Sequence, residues 1–225
     1  MADFTSDSNA VSTNDRGESS DSLDITVPAD SDLLLVFINI EDGTPGTVSG
    51  VTYDGGAMTE AEAYSGSNKA CALYYLSQPG AGTKTIAITL SETVDELAWG
   101  AESFSALGGG ATLGTTDTDN TGWGGSVAIT LTVPSGGMIA GASVSTTSET
   151  THSVAGNIVE SFEETTDFMT GVGIYNVTDD GETTLTADWD DWGSMAIAGA
   201  TFEAVAGGGG TPSGQIAYYR NLLGG

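Results

Sequence analysis

Apolar and polar residues alternate in short runs along most of the chain. Leu23, Ile25 and Val27 are separated by Asp24 and Thr26. Ile86, Ile88 and Leu90 are separated by Ala87 and Thr89, and Ile129, Leu131 and Val133 by Thr130 and Thr132. A period of two marks a strand with one buried face, because successive side chains leave a pleated backbone on opposite sides. Turn residues punctuate the runs, at 41–46, at Asp54-Gly55-Gly56 and at 78–82. The pattern predicts strands near 22–27, 32–40, 47–53, 57–64, 69–77, 84–90 and 96–106, and again near 126–133, 138–146, 153–162, 168–177, 182–189 and 194–205. Many short strands at even spacing, with no long amphipathic helix among them, predict an all-β sandwich.

The pattern occurs twice. Leu23 to Pro28 followed by Leu33 to Phe37 corresponds to Ile129 to Pro134 followed by Met138 to Ala142. Leu73-Tyr74-Tyr75-Leu76 corresponds to Ile174-Tyr175-Asn176-Val177, and Gly82 to Ile86 corresponds to Gly181 to Leu185. Trp99 to Leu107 corresponds to Ile197 to Val205. The offset slides from 106 residues at the prolines through 101 and 99 to 98 in the last block. Small deletions in loops between retained strands have this effect. Two units of about a hundred residues are not a solenoid, which needs roughly three or more shorter repeats. The expected architecture is a jelly-roll-like β-sandwich built from two similar halves, by internal duplication and about a pseudo-twofold axis. Whether the halves share one core or form two tandem sandwiches stays open at this stage.

The expected segments are a polar N-terminal arm at 1–21, a first β half at 22–107 and a Gly-rich connection at 108–125. A second β half follows at 126–205, then a Gly-rich linker at 206–214 and a docking tail at 215–225. The connection is expected to be a loop crossing one end of the sandwich. The polar arm, lacking a core of its own, is expected to lie on a neighbouring chain.

The order of a Val-Pro turn into an apolar strand, then Ser49-Gly50-Val51-Thr52-Tyr53-Asp54-Gly55-Gly56, Leu73 to Leu76, Gly82 to Ile88 and Ala101 to Ser105 resembles β-sandwich modules of phage and virus virion surface proteins and of bacterial surface proteins. The resemblance spans roughly residues 22–205. It implies a structural or adhesive module without an active site, and it carries no functional residue to this chain, since its motifs are those of strands and turns.

Charge narrows the function classes. Thirty-one Asp and Glu face four Lys and Arg, a formal net charge of −27. Nucleic acid is recognised by Lys and Arg that displace counterions from phosphates, and Arg16, Lys69, Lys84 and Arg220 are too few and too scattered to do so. Anionic membrane surfaces repel such a chain, and no apolar run reaches the ~18 residues of a spanning helix. Self-repulsion of this size is relieved by salt, whose Debye length falls from about 10 Å at 0.1 M to about 3 Å at 1 M. The composition therefore points to a halophilic or marine source. Residues 1–21 have neither a basic start nor an apolar stretch, so a secretory signal is not expected there.

Candidate chemistry is thin. The single Cys71 alternates with Leu73 and Tyr75 and is expected as a small buried hydrophobe. His152 has no second His or Cys to share a metal with, and is expected in a surface loop. Carboxylate pairs are too numerous to single out a glycosidase. An enzyme is not expected. Asp179, Asp180 and Glu182, with Asp188, Asp190 and Asp191, are candidate calcium ligands, because calcium takes six to eight oxygens; solvated acidic turns are the alternative. Trp123, Trp189 and Trp192 beside these acids are candidates for stacking on a cell-surface glycan. The tail carries Ile216, Tyr218, Tyr219, Arg220, Leu222 and Leu223 and no acid, behind the Gly-rich tether. Tyr, Arg and Leu are the composition of an interface anchor, so these six residues are expected to dock on a partner.

The expectation that follows is a non-enzymatic structural protein of a larger assembly. Its most concrete form is a virion surface component, a decoration, turret or fibre-like protein that forms a homo-oligomer and sits on a capsid or tail protein. A carbohydrate-binding or adhesive module is the alternative.

Overall fold

The computed structural model describes residues 4–14, 18–43, 46–106, 109–147, 152–154, 159–166, 169–177 and 181–205. Among them every regular element is a strand. The first half holds β1 (Phe4–Asn14), β2 (Glu18–Val27), β3 (Ser31–Glu41), β4 (Val48–Tyr53), β5 (Gly56–Ala57), β6 (Thr59–Ser65), β7 (Lys69–Ser77), β8 (Gly82–Val94) and β9 (Glu96–Ala106). The second holds β10 (Ala111–Val133), β11 (Met138–Ser145), β12 (His152–Val154), β13 (Val159–Thr165), β14 (Thr170–Val177) and β15 (Gly181–Ala204).

They pair antiparallel into three sheets, in the orders β1-β9-β3-β7-β6, β2-β8-β4-β5 and β10-β15-β11-β14-β13, with β12 beside β15 in the last. The β1–β6 sheet is central. On one face Leu34, Val36, Ile38 and Trp99 pack against Ile25, Val51, Ile86 and Ile88 of the β2–β5 sheet. On the other, Leu33, Leu35, Phe37 and Phe104 pack against Ala140, Ala142, Ala198 and Phe202 of the second half. This explains why β3 is apolar at nearly every position: a strand covered on both faces has no solvent side to give to polar residues. The Asp54-Gly55 turn has both φ values positive, at 52° and 77°, as a two-residue hairpin loop requires.

β10 and β15 are long because each serves two layers. Ala111–Thr121 pairs with Met195–Ala204, while Ser126–Val133 pairs with Gly181–Asp188. The second pairing folds back over the first. It buries Ile129, Leu131, Leu185 and Trp189 against Ile139, Ile174 and Ile197 in a third core.

The pairings of the two halves follow the same register. Val27 faces Gly82 and Val133 faces Gly181; Leu33 faces Phe104 and Met138 faces Phe202; Phe4 faces Ala106 and Ala111 faces Ala204. A register shift falls between Glu60 and Glu62 and another between Glu160 and Phe162.

Two segments differ from expectation. Residues 1–21 were expected as an arm, yet they contain β1 and the start of β2, with β1 hydrogen-bonded along β9 of the same chain. Residues 108–125 were expected as a loop, yet from Ala111 they form the first part of β10. Both are sheet edges rich in Ser, Thr, Asp and Asn. Polar, acidic edge strands discourage pairing with other chains, and their polarity hides the alternation that would reveal them.

Candidate functional site

The site lies where β10 and β15 bend from the inner layer to the outer one. Gly124 faces Gly193 there, with register shifts on either side in β10. A Cβ on Gly193 would stand 2.8 Å from Ser145 Oγ and 3.0 Å from Thr147 Cγ2, so the end of β11 leaves little room for a side chain on β15 here. The inward series of Val127 to Val133 breaks at this point and leaves Trp123 outward, while Trp192 lies on the outward positions of β15; the two have 69% and 61% of their surface exposed. Trp189 continues the inward series of Leu185 and Ala187 and is buried. Of the three candidate glycan-stacking tryptophans, the structure therefore brings two to the surface at one bend and places the third in a core.

Beneath the bend sits Lys69, 3% exposed, at the start of β7. Its Nζ donates to the carbonyl of Thr121 at 3.3 Å and to Ser194 Oγ. The Ser194 hydroxyl also lies 3.5 Å from Asn68 Oδ1, and its amide donates to Thr146 Oγ1 at 3.2 Å. Burial pushes the Lys69 ammonium below its usual range. Lys69 belongs to the first half, Thr121 and Ser194 to the second, so a desolvated cation ties the halves together through residues two positions from Trp123 and Trp192. Nothing in the sequence around Lys69 signals this, because its partners are 52 and 125 residues away.

Carboxylates at the interface between the halves also escaped the sequence reading. Glu96 and Glu102 are 1% and 3% exposed. Glu96 accepts from Thr166 Oγ1 and Glu102 from Ser6 Oγ. Burial, then the charge of Glu102, pushes the Tyr175 hydroxyl up to about 12. Glu41, opposite Lys69 on one side and Glu96 on the other, is pushed up to about 7, first by burial and then by Glu96, Asp95 and Asp42.

Glu182 is exposed and Asp188 half-buried on the same strand, six residues apart. At ~3.3 Å per residue that is about 20 Å, far beyond what one calcium ion spans. Asp179 and Asp180 lie outside the described residues, as do the side chains of Asp190 and Asp191. No group of three or more His, Cys, Asp or Glu among the described residues is placed to hold a metal ion. Ile216, Tyr218, Tyr219, Arg220, Leu222 and Leu223 lie outside the described residues too. Cys71 is buried, which raises its thiol pKa. The backbone of His152 pairs with Trp189 in β12.

The bend therefore presents two exposed indoles on a surface that is otherwise acidic, with the buried Lys69 ammonium held by Thr121 and Ser194 of the same strands. Exposed aromatic rings suit contact with a sugar or a protein side chain. No family model, no curated protein and no solved structure matches the chain.

Proposed function

We propose that this chain is a non-enzymatic structural protein working at the surface of a larger assembly, and that it consists of two copies of one jelly-roll-like unit. The corresponding registers and matched register shifts of the two halves support the duplication. Strand order supports the jelly roll. In the first half the first strand lies beside the last, and the second beside the last but one, as in a hairpin wrapped into two sheets. The most concrete form of the proposal is a virion surface component from a saline habitat, in keeping with the −27 charge and the tethered tail.

The observation that carries a surface role is the exposed pair Trp123 and Trp192, set on a stack of three buried cores. Apolar surface concentrated in one place marks contact sites, and Trp is enriched among the residues that carry binding energy there. The same pair favours the second reading, in which the partner is a glycan. Immunogold labelling of particles from the source culture tests the first reading. Gold on particle exteriors is expected, and label confined to cell interiors would overturn it. A glycan array probed with the native chain and with a Trp123→Ala/Trp192→Ala variant tests the second. Both residues are exposed, so the variant should keep its stability within about 0.5 kcal/mol. Binding by the native chain that the variant loses is the expected result; equal signals from both would exclude the bend as the glycan site.

A further inference from the structure

Glu102 is 3% exposed, on the face of β9 turned toward the second half. Ser6 Oγ donates to its Oε1, and Tyr175, whose ring meets Phe104 edge-on at 5.0 Å, brings its hydroxyl beside the same two residues. No protein group donates to Glu102 Oε2. Ser161 Oγ is a second buried oxygen without a protein partner, 7% exposed at the bulge of β13. Asn9 and Phe162 bring these two oxygens to one place. Asn9 lies opposite Glu102 in the β1–β9 ladder, and its Nδ2 donates to the Ser161 carbonyl at 3.2 Å. Phe162, next to Ser161, lies against Gly100, two positions from Glu102 on the same face.

The fold does not ask for polar residues at such a place. In the opposite half Phe202 meets Tyr75 edge-on at 5.5 Å, and Leu113 stands opposite Phe202 as Ser6 stands opposite Phe104. Ala200 holds the position of Glu102, two residues before the Phe, and Ala61 the bulge position of Ser161. Leu113, Ala200 and Ala61 all join the core between the halves. One site is therefore apolar and the other carries Ser6, Glu102 and Ser161. An ionised carboxylate out of water is costly unless a cation or enough donors meet it.

The cationic side chains among the described residues are engaged elsewhere. Lys69 faces Glu41, six residues along β3 from Leu35, the residue opposite Glu102, which is about 20 Å. Lys84 pairs with Asp54 at 2.8 Å, in the β4–β5 turn. Every group left around Glu102 offers oxygen, the donor that hard cations take. One carboxylate balances one positive charge, and no group of three acids among the described residues is placed for a divalent ion. We propose that Glu102 and Ser161, with the Ser6 and Tyr175 hydroxyls beside them, form a site for a monovalent alkali cation that joins β1 and β9 to β13 and β14 of the second half. Ser6 and Asn9 are exposed, so the ion has a path from solvent. The inference rests on neither the virion nor the glycan reading.

The test is urea unfolding of the full chain in NaCl or KCl exchanged stepwise for choline chloride at about 1 M total salt, which holds screening constant. A ligand at ten times its dissociation constant multiplies the folding constant about elevenfold. The native chain should gain about tenfold, with saturation, in one or both alkali salts. Glu102→Gln keeps the size of the side chain and an acceptor for Ser6, and should lose the gain. Ser161→Ala, which removes one neutral oxygen, should need about threefold more alkali salt for the same gain. Glu203→Gln, at an exposed acid of β15, should respond as the native chain does. Sodium-23 relaxation reads binding without unfolding, and the native chain should broaden the line more than Glu102→Gln at equal concentration. Equal native stability in choline and alkali salts would overturn the proposal. So would the same gain in Glu102→Gln, which a water or a proton at Oε2 predicts, or a gain from millimolar CaCl2 alone.

Discussion

Replacing Glu41 by Gln removes a charge that the fold holds in an unfavourable place. Glu41 ends β3 on the face turned toward the second half, opposite Glu96 and close to Asp95 and Asp42. Lys69 faces it across the β3–β7 pair, yet the Lys69 ammonium is engaged by Ser194 and Thr121. Burial first, and the three neighbouring acids second, raise the Glu41 pKa from 4.5 to about 7. At ~1.4 kcal/mol per unit the full shift corresponds to about 3 kcal/mol. The side chain is partly solvated, so screening reduces this to about 1–2 kcal/mol. The sign follows from linkage. The folded-state pKa is raised, so the stabilisation relative to the ionised form is complete below pH 4.5 and is lost as pH rises through about 7. Urea unfolding at pH 5 and pH 8 in 0.1 M NaCl should show Glu41→Gln close to native stability at pH 5 and about 1–2 kcal/mol above it at pH 8. In 1 M NaCl the Debye length is about 3 Å, so the part due to neighbouring acids should shrink and leave the part due to burial. If the variant keeps the native dependence between pH 5 and 8, Glu41 is not the titrating group and the reasoning fails.

Two further outcomes follow from packing and charge. A Cβ on Gly173 would stand 2.6 Å from Phe162 Cε1 and 2.8 Å from Phe37 Cγ, so Gly173→Ala should destabilise the protein by about 1–3 kcal/mol through overpacking, read as a lower urea midpoint at unchanged slope. The native midpoint in urea should rise as NaCl is raised from 0.1 M to 1 M at pH 8, since self-repulsion of a −27 chain is screened; an unchanged midpoint would count against the halophilic reading.

What was legible in the sequence was whatever a single strand decides about itself. Ile25 and Val27, Ile86 and Ile88, and Ile129 and Leu131 have a wet side and a dry side, so alternation located their strands and the side they bury. β1 and the first part of β10 were not legible. Their strand state is set by hydrogen bonds to β9 and β15, and few of their residues are buried. The exposure of Trp123 was not legible either, because the inward series of Val127, Ile129, Leu131 and Val133 breaks at the Gly124–Gly193 crossing.

The stacking of the halves lies between these cases. Each half presents matching strands to the other, but not matching side chains. The first offers Leu33, Leu35, Phe37, Leu73 and Phe104 at its inner face, while the second sets Ala140, Ala142, Ala196, Ala198 and Ala200 among the larger Met138, Phe162, Tyr175 and Phe202. Two copies of the large face would hold the layers apart, and two copies of the small one would leave voids that cost about 24 cal/mol per Å³. Large against small lets sheets approach at interior density. Phe162 shows the same rule in detail, lying against Gly100 of the first half and Gly173 of the second, where any side chain would collide with its ring. A repeat read only as apolar and polar positions carries none of this. The divergence in size between corresponding positions, Leu35 against Ala140 and Phe37 against Ala142, is the signal in the sequence that the halves pack on each other instead of standing apart.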